Sequence, residues 1–316
     1  MTAHEPGVWV GFSGLVLVLL VLDLGVLNRR SHVLTPREAL SWSGGLVALA
    51  LLFGGFLWWK EGTQHALEYY SGYLIELSLS VDNLFVFLLI FQYFSVPAPL
   101  QPRVLKWGIL GAILMRAVMI AAGALLLQRF TWITYLFGGI LVLTGLRMLR
   151  AAEVRIEPEK NPVVRLAWRL LPFTSAYEGQ RFFARSHRGW LATPLFLVLL
   201  VVEWSDLVFA IDSIPAVFAV TRDAFIVYSS NVFAILGLRA LFFVLASMMD
   251  RFIYLKPGVA LILVFVGLKM AGSAYVHVWT SLSLGVIVLI LATSIAASVY
   301  RVRRAPADPT RVPPPP

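Results

Sequence analysis

No cysteine occurs among the 316 residues, which excludes disulfides, thiolate metal sites and thiol redox chemistry within the chain. Any bound metal must use oxygen or imidazole ligands. Charge is scarce as well: 14% of residues are charged against 59% hydrophobic, and mean hydropathy is +0.82. That balance excludes a soluble globular domain and implies an all-α polytopic membrane protein. Acidic residues are the rarer sign, 17 against 26 basic. The basic surplus sits mainly in loops, where membrane orientation accounts for it and no nucleic-acid partner is expected.

What acid there is stands in unusual places. The apolar stretch Leu195 to Val220 carries Glu203, Asp206 and Asp212, and the stretch Tyr73 to Phe91 carries Glu76 and Asp82. A carboxylate at a helix centre costs roughly 3 kcal/mol on insertion scales, so five facing lipid would cost on the order of 15 kcal/mol. They are therefore expected to face a protein interior and to hold something positive.

Apolar runs of roughly 20 residues give nine candidate spans, near 8–27, 40–59, 69–94, 106–127, 130–148, 190–217, 224–247, 252–271 and 279–299. The first lacks a basic segment before it and has Arg29 and Arg30 behind, so it reads as a retained span. Arg- and Lys-rich loops alternate onto one side, which puts the N-terminus outside and the C-terminus in the cytoplasm of a bacterial-type inner membrane. The expected order is two helices (1–68), a three-helix unit (69–148), a basic cytoplasmic connector (149–189), a second three-helix unit (190–271), a last helix (272–300) and a disordered Pro-rich tail (301–316). The connector either lies on anionic lipid or is simply a retained positive loop. Trp58, Trp59, Trp107, Trp132, Trp190 and Trp279 fall near span ends, as an interfacial belt requires. Asp23 reads as structural, and His65 and His277 as interfacial.

The two units repeat. Aligning Asp82 with Asp212 sets Glu76 over Asp206 and Asn83 over Ser213, and the next helices carry Arg116 and Arg239 in similar Ala-Ile-Leu contexts. The third helices end Gly145-Leu146-Arg147-Met148 and Gly267-Leu268-Lys269-Met270. Because each unit has three helices, the second enters the membrane inverted, an arrangement that lets a midplane site open to either face in turn.

Glu76, Ser80 and Asn83 share a helical face, but Asp82 is rotated about 120° from Glu76, as Asp212 is from Asp206. A kink at Pro215 would help them converge and would free the Ile211 carbonyl beside Asp212. The candidate metal ligands are then Glu76, Asp82, Asn83, Glu203, Asp206 and Asp212, supported by Ser80, Ile211 and Ser213, with Arg116 and Arg239 as gating or counter-charges. Oxygen ligands of these kinds suit Mg, Ca or Mn(II). The surplus of acid over one divalent ion suggests proton exchange. The plainer reading makes Asp82 and Asp212 structural partners of Arg116 and Arg239, although intramembrane ionisable groups mark pathways by default.

At these residues the sequence resembles the TerC family of integral membrane proteins, named for tellurium resistance and including the Alx-type manganese exporters. The match rests on Glu76-Leu77-Ser78-Leu79-Ser80-Val81-Asp82-Asn83, on Glu203-Trp204-Ser205-Asp206 running into Phe209-Ala210-Ile211-Asp212-Ser213-Ile214-Pro215, and on the Gly-Leu-basic-Met endings. It implies a LysE-like secondary transporter that exports Mn(II) as substrate, without a cofactor and without enzymatic activity. Three other readings stay open. A tellurite-handling component would need a cationic pocket, for which Arg116 and Arg239 are the candidates. An intramembrane aspartyl protease also needs paired acids, but the contexts Ser-Val-Asp-Asn and Ala-Ile-Asp-Ser do not match. A membrane scaffold would leave the acids without a transport role.

Overall fold

The computed structural model describes residues 6–22, 36–150, 162–186, 189–246, 254–273 and 278–304. Asp23, Arg29, Arg30, His277 and residues 305–316 of the tail lie outside them. The fold is almost wholly helical: α1 (Pro6–Val21), α2 (Pro36–Glu61), α3 (Thr63–Tyr93), α4 (Gln101–Arg129), α5 (Ile133–Arg150), α6 (Pro162–Leu170), α7 (Pro194–Phe218), α8 (Ala224–Ala246), α9 (Leu255–Ala271) and α10 (Thr280–Arg304). Among the described residues six helices are long and apolar enough to cross a membrane, and a seventh if α8, bent by 50° between Leu238 and Ala240, counts as one span. The helices in the first and eighth expected ranges, α1 and α9, are shorter, at 16 and 17 residues.

Two departures from expectation concern local structure. Helix α7 runs as one 25-residue element through Pro215, without the expected discontinuity, and the pronounced bend lies in α8 instead. Pro215 stands in the last turn of α7, where few downstream residues remain to be deflected, and its own carbonyl accepts from Ala219 N at 2.9 Å. The second departure lies in the connector. Besides α6, it contains β1 (Phe183–Ser186), which pairs antiparallel with β2 (Gly189–Ala192) in the register Phe183 to Ala192, so that residues 190–192, expected in the sixth span, belong to a hairpin instead. Both are tied to the bundle: α6 packs on α7, Tyr177 donates to the Phe94 carbonyl at 2.7 Å, and Arg103 lies 5.2 Å from the Phe182 ring centroid. This part of the connector is a folded cap over one end of α3, α4 and α7.

Small and aromatic residues divide the packing between them. An aromatic cluster of Phe12, Phe53, Tyr69, Phe225 and Phe233 binds α1 and α2 to α3 and α8, with Phe53 and Phe233 centroids 5.1 Å apart. Deeper in the bundle, α3 packs on α8 and α4 on α7, while α3 also meets α7, α4 meets α8 and α5 meets α9. The closest approach is the antiparallel seam of α5 and α9. A side chain at Gly138 would fall 2.9 Å from the Gly267 carbonyl oxygen, and one at Gly145 would fall 2.7 Å from that of Ala260. The register shift that carries Gly145 onto Gly267 also carries Gly138 onto Ala260, so the two contacts are counterparts. By contrast a side chain at Gly44, Gly45, Gly55 or Gly139 would meet nothing within 4 Å.

Gly138→Ala should therefore destabilise the bundle by roughly 1–3 kcal/mol through forced separation of two backbones. Gly139→Ala should stay within about 0.5 kcal/mol. Denaturant titration in mixed micelles checks the contrast, and equal losses would contradict a backbone-tight seam.

Candidate ion site

Helices α3, α4, α7 and α8 each bring one or more polar side chains to the middle of the bundle. Their interiors tolerate serine because each hydroxyl can return to its own helix: Ser71 to Leu67 O, Ser78 to Leu74 O, Ser205 to Val201 O, and Ser230 to Val227 O. These small residues also let the helices approach, as where Gly72 faces Ser230 and Val217.

At the centre lies Arg116, 1% exposed. Counting 1.5 Å per residue, it sits about 22 Å from the start of α4 and about 20 Å from its end. Its Nη1 donates to Glu76 Oε1 on α3, to Asn231 Oδ1 on α8 at 2.9 Å and to Ser213 Oγ on α7 at 3.3 Å. Its Nη2 donates to Asp206 Oδ1 on α7 at 3.3 Å. Glu76 is fully buried and Asp206 nearly so. One guanidinium thus joins two carboxylates, one from α3 and one from α7, and with all three ionised the group carries one net negative charge.

The group is not saturated. Glu76 Oε2, Asp206 Oδ2, Ser80 Oγ, Asn83 Nδ2 and Arg116 Nε are all buried and without a hydrogen-bond partner. An ionised carboxylate buried in low dielectric keeps every oxygen paired or remains costly. The two free carboxylate oxygens therefore mark where a further cation or proton would be stabilised. A cavity of about 10 Å³, room for roughly one water, adjoins the group between Leu84, Leu105, Ala112, Val202, Glu203 and Asp206.

The other expected ligands do not join Arg116. Asp212 accepts from Thr144 Oγ1 on α5 at 2.9 Å, because α7 is unbroken and its sixth residue past Asp206 points elsewhere. Glu203 lies against Gly111 of α4, whose missing side chain leaves room for the carboxyl group. Ile211 turns its side chain outward, 48% exposed. The side chains of Asp82 and Arg239 lie outside the described residues. Among the described residues no group of three or more His, Asp or Glu comes together as a metal site. In place of a single cluster, the described acids form a Glu76–Arg116–Asp206 core, with Glu203 bordering the small cavity beside it and Asp212 bonded to Thr144.

Two residues that hold this arrangement escape a reading of the sequence. Asn231 belongs to the run Ser229-Ser230-Asn231 inside an apolar span, a polar signal that could have been read. Thr144 offers none, since a lone threonine in such a helix is ordinary.

The helical bundle and its buried ionic core define a multi-pass integral membrane protein with ionisable groups placed at mid-depth. Residues 61–306 match the model of the integral membrane protein TerC family. The chain belongs to that family. It is 49% identical over 309 residues to an uncharacterized membrane protein of Myxococcus xanthus, covering 98% of this chain and 97% of that one. It is 46% identical over 308 residues to the putative membrane-bound redox modulator Alx of Escherichia coli strain K12, covering 95% and 96%. An uncharacterized membrane protein of Rickettsia bellii is 42% identical over 293 residues, covering 93% and 97%. No solved structure matches the chain significantly.

Proposed function

We propose that the protein is a secondary transporter that exports a divalent cation, Mn(II) foremost, from the cytoplasm through the Glu76–Arg116–Asp206 core. The observation that carries this reading is the pair of buried carboxylates from the two repeats, each with one oxygen unpaired, meeting on a single guanidinium. Arg116 acts as an internal stand-in for the cargo. An arriving divalent ion takes its place on Glu76 and Asp206, with the Ser80 hydroxyl, the Asn83 amide oxygen and retained water completing an all-oxygen shell. Two carboxylates and one divalent ion balance, so Arg116 must withdraw as a separate charge, and Asn231 is its nearest neutral acceptor. Proton exchange follows naturally, since protons on the two acids would reset the empty carrier without a metal.

The packing of each repeat helix on its counterpart, and the matched contacts of Gly145 and Gly267, support an inverted 3+3 repeat within a nine-span protein, with the N-terminus outside and the C-terminus cytoplasmic. The choice of Mn(II) rests on the family resemblance, because the ligand types suit Mg and Ca equally. The name of the E. coli relative speaks of redox modulation. With no cysteine here, any such effect would have to run through the ion moved and not through a thiol of this chain. Flux of Mn, Ca, Mg, Fe and Zn into proteoliposomes, with and without a pH gradient, tests the proposal. Mn(II) flux that responds to the gradient is the expected result, and a folded preparation that moves none of these ions would overturn it.

A further inference from the structure

At one end of the bundle the termini of α3, α4, α5, α7, α9 and α10 surround a polar cavity of about 370 Å³. Glu68 stands in its wall, accepting from Thr221 Oγ1 at 2.5 Å and from Gln64 Nε2 at 2.7 Å, while Gln64 also reaches Thr280 Oγ1 at 2.9 Å. Lys269 and Arg222 line it as well, so its walls carry both signs. Mixed charge and hydroxyls hold water without trapping an ion of either sign. That is the character of a conduit, not of a binding pocket.

The floor of this cavity is formed in part by Phe218 and Leu127. The Phe218 ring is 3% exposed and lies over Gly123 of α4, where a side chain would come within 2.9 Å of Cε2. Only a glycine lets the ring seat that deeply. Five residues back along α7 from Phe218 is Ser213, which touches Arg116, a separation of about 8 Å along the helix. Between them Ile214 and Val217 are buried. A polar cavity and a polar core are thus separated along α7 by the Phe218 ring and one apolar turn, with Ile75, Ile120 and Val227 of the neighbouring helices packed in the same buried cluster.

Resting on the transport reading above, we propose that this cavity is the mouth through which hydrated ions and protons pass between one face of the membrane and the Glu76–Arg116–Asp206 core, and that Phe218 seated on Gly123 is its plug. Swinging or removing the ring opens the first barrier on the way from the cavity to Ser213, leaving only the apolar turn around Ile214 and Val217.

The absence of native cysteine makes the test direct. Single Ser273→Cys and Ser213→Cys variants are treated with a membrane-impermeant thiol reagent applied to each face of sealed vesicles in turn. Ser273→Cys, at the cavity rim, should label from one face only, and Ser213→Cys should be protected. Adding Phe218→Ala, or the gentler Phe218→Leu, should raise labelling of the Ser213→Cys chain from that same face about tenfold or more, as opening now needs no ring movement. Size-exclusion profiles select the variants that fold. Rapid labelling of Ser213→Cys with Phe218 intact would overturn the proposal, as would continued protection in folded Phe218→Leu. The readout needs no transport, so the expected pattern together with absent ion flux would sink the transport reading alone. Normal flux with no effect of Phe218 would sink the plug alone.

Discussion

Replacing Arg116 with methionine should lower the stability of the bundle by about 3–5 kcal/mol, the range for removing one partner of a buried ionic group. Methionine keeps the apolar stem and supplies no charge, so the loss measures what Glu76 and Asp206 suffer when left facing each other. The two carboxylates would then carry like charge in low dielectric with nothing between them, and one must take up a proton or draw in a cation. Adding Glu76→Gln to Arg116→Met should return most of the stability, because a neutral amide removes the repulsion. The coupling between the two sites, read from a double-mutant cycle of denaturant midpoints in mixed micelles, should be at least about 1 kcal/mol. Simple additivity would show that Arg116 does not bind Glu76 and Asp206 into one unit.

The second large effect falls on transport. Glu76→Gln and Asp206→Asn each preserve size and hydrogen-bonding capacity while leaving Arg116 with a single carboxylate and the core without net negative charge. Losing one charged ligand should cost a bound cation about 3 kcal/mol, roughly a hundredfold in flux at sub-saturating cation. Asp212→Asn should cost less, about tenfold at most, since Asp212 hydrogen-bonds to Thr144 and stands apart from Arg116. Rates of Mn(II) uptake into proteoliposomes containing equal amounts of folded protein rank the three. A ranking with Asp212→Asn as the most damaging would move the ion site toward α5. Equal uptake in all three would show that none of these acids is a ligand of the transported ion.

Much of the architecture is legible in the amino-acid sequence, and for identifiable reasons. Apolar runs bounded by charge mark helices whatever their tertiary setting, so each expected range contains one, although α1 and α9 are shorter than a span usually needs. The meeting of Glu76 with Asp206 is the one that the sequence alignment of Asp82 with Asp212 pairs, and α3 and α7, which carry them, pack on each other. Arg116 is legible as a buried charge. That it occupies the position expected for a metal is not, since the sequence does not say which of several acids an arginine chooses.

The expectation for Asp212 fails because a proline does not break a helix wherever it stands. Pro215 falls in the last turn, so the helix keeps its course and Asp212 faces Thr144 of α5. The hairpin at 183–192 is hidden for another reason. Two strands of four residues around Gly189, whose φ is +128°, are too short for alternation to register. The depth of Glu203 depends on Gly111, a residue with no side chain to announce it.

The most direct measurement is manganese anomalous scattering from crystals of the protein saturated with Mn(II). The account predicts one strong peak about 2.0–2.6 Å from a carboxylate oxygen of Glu76 and one of Asp206, with the Arg116 guanidinium drawn away from both. A manganese-loaded structure in which Arg116 still bridges the two acids, with the metal bound elsewhere, would contradict it.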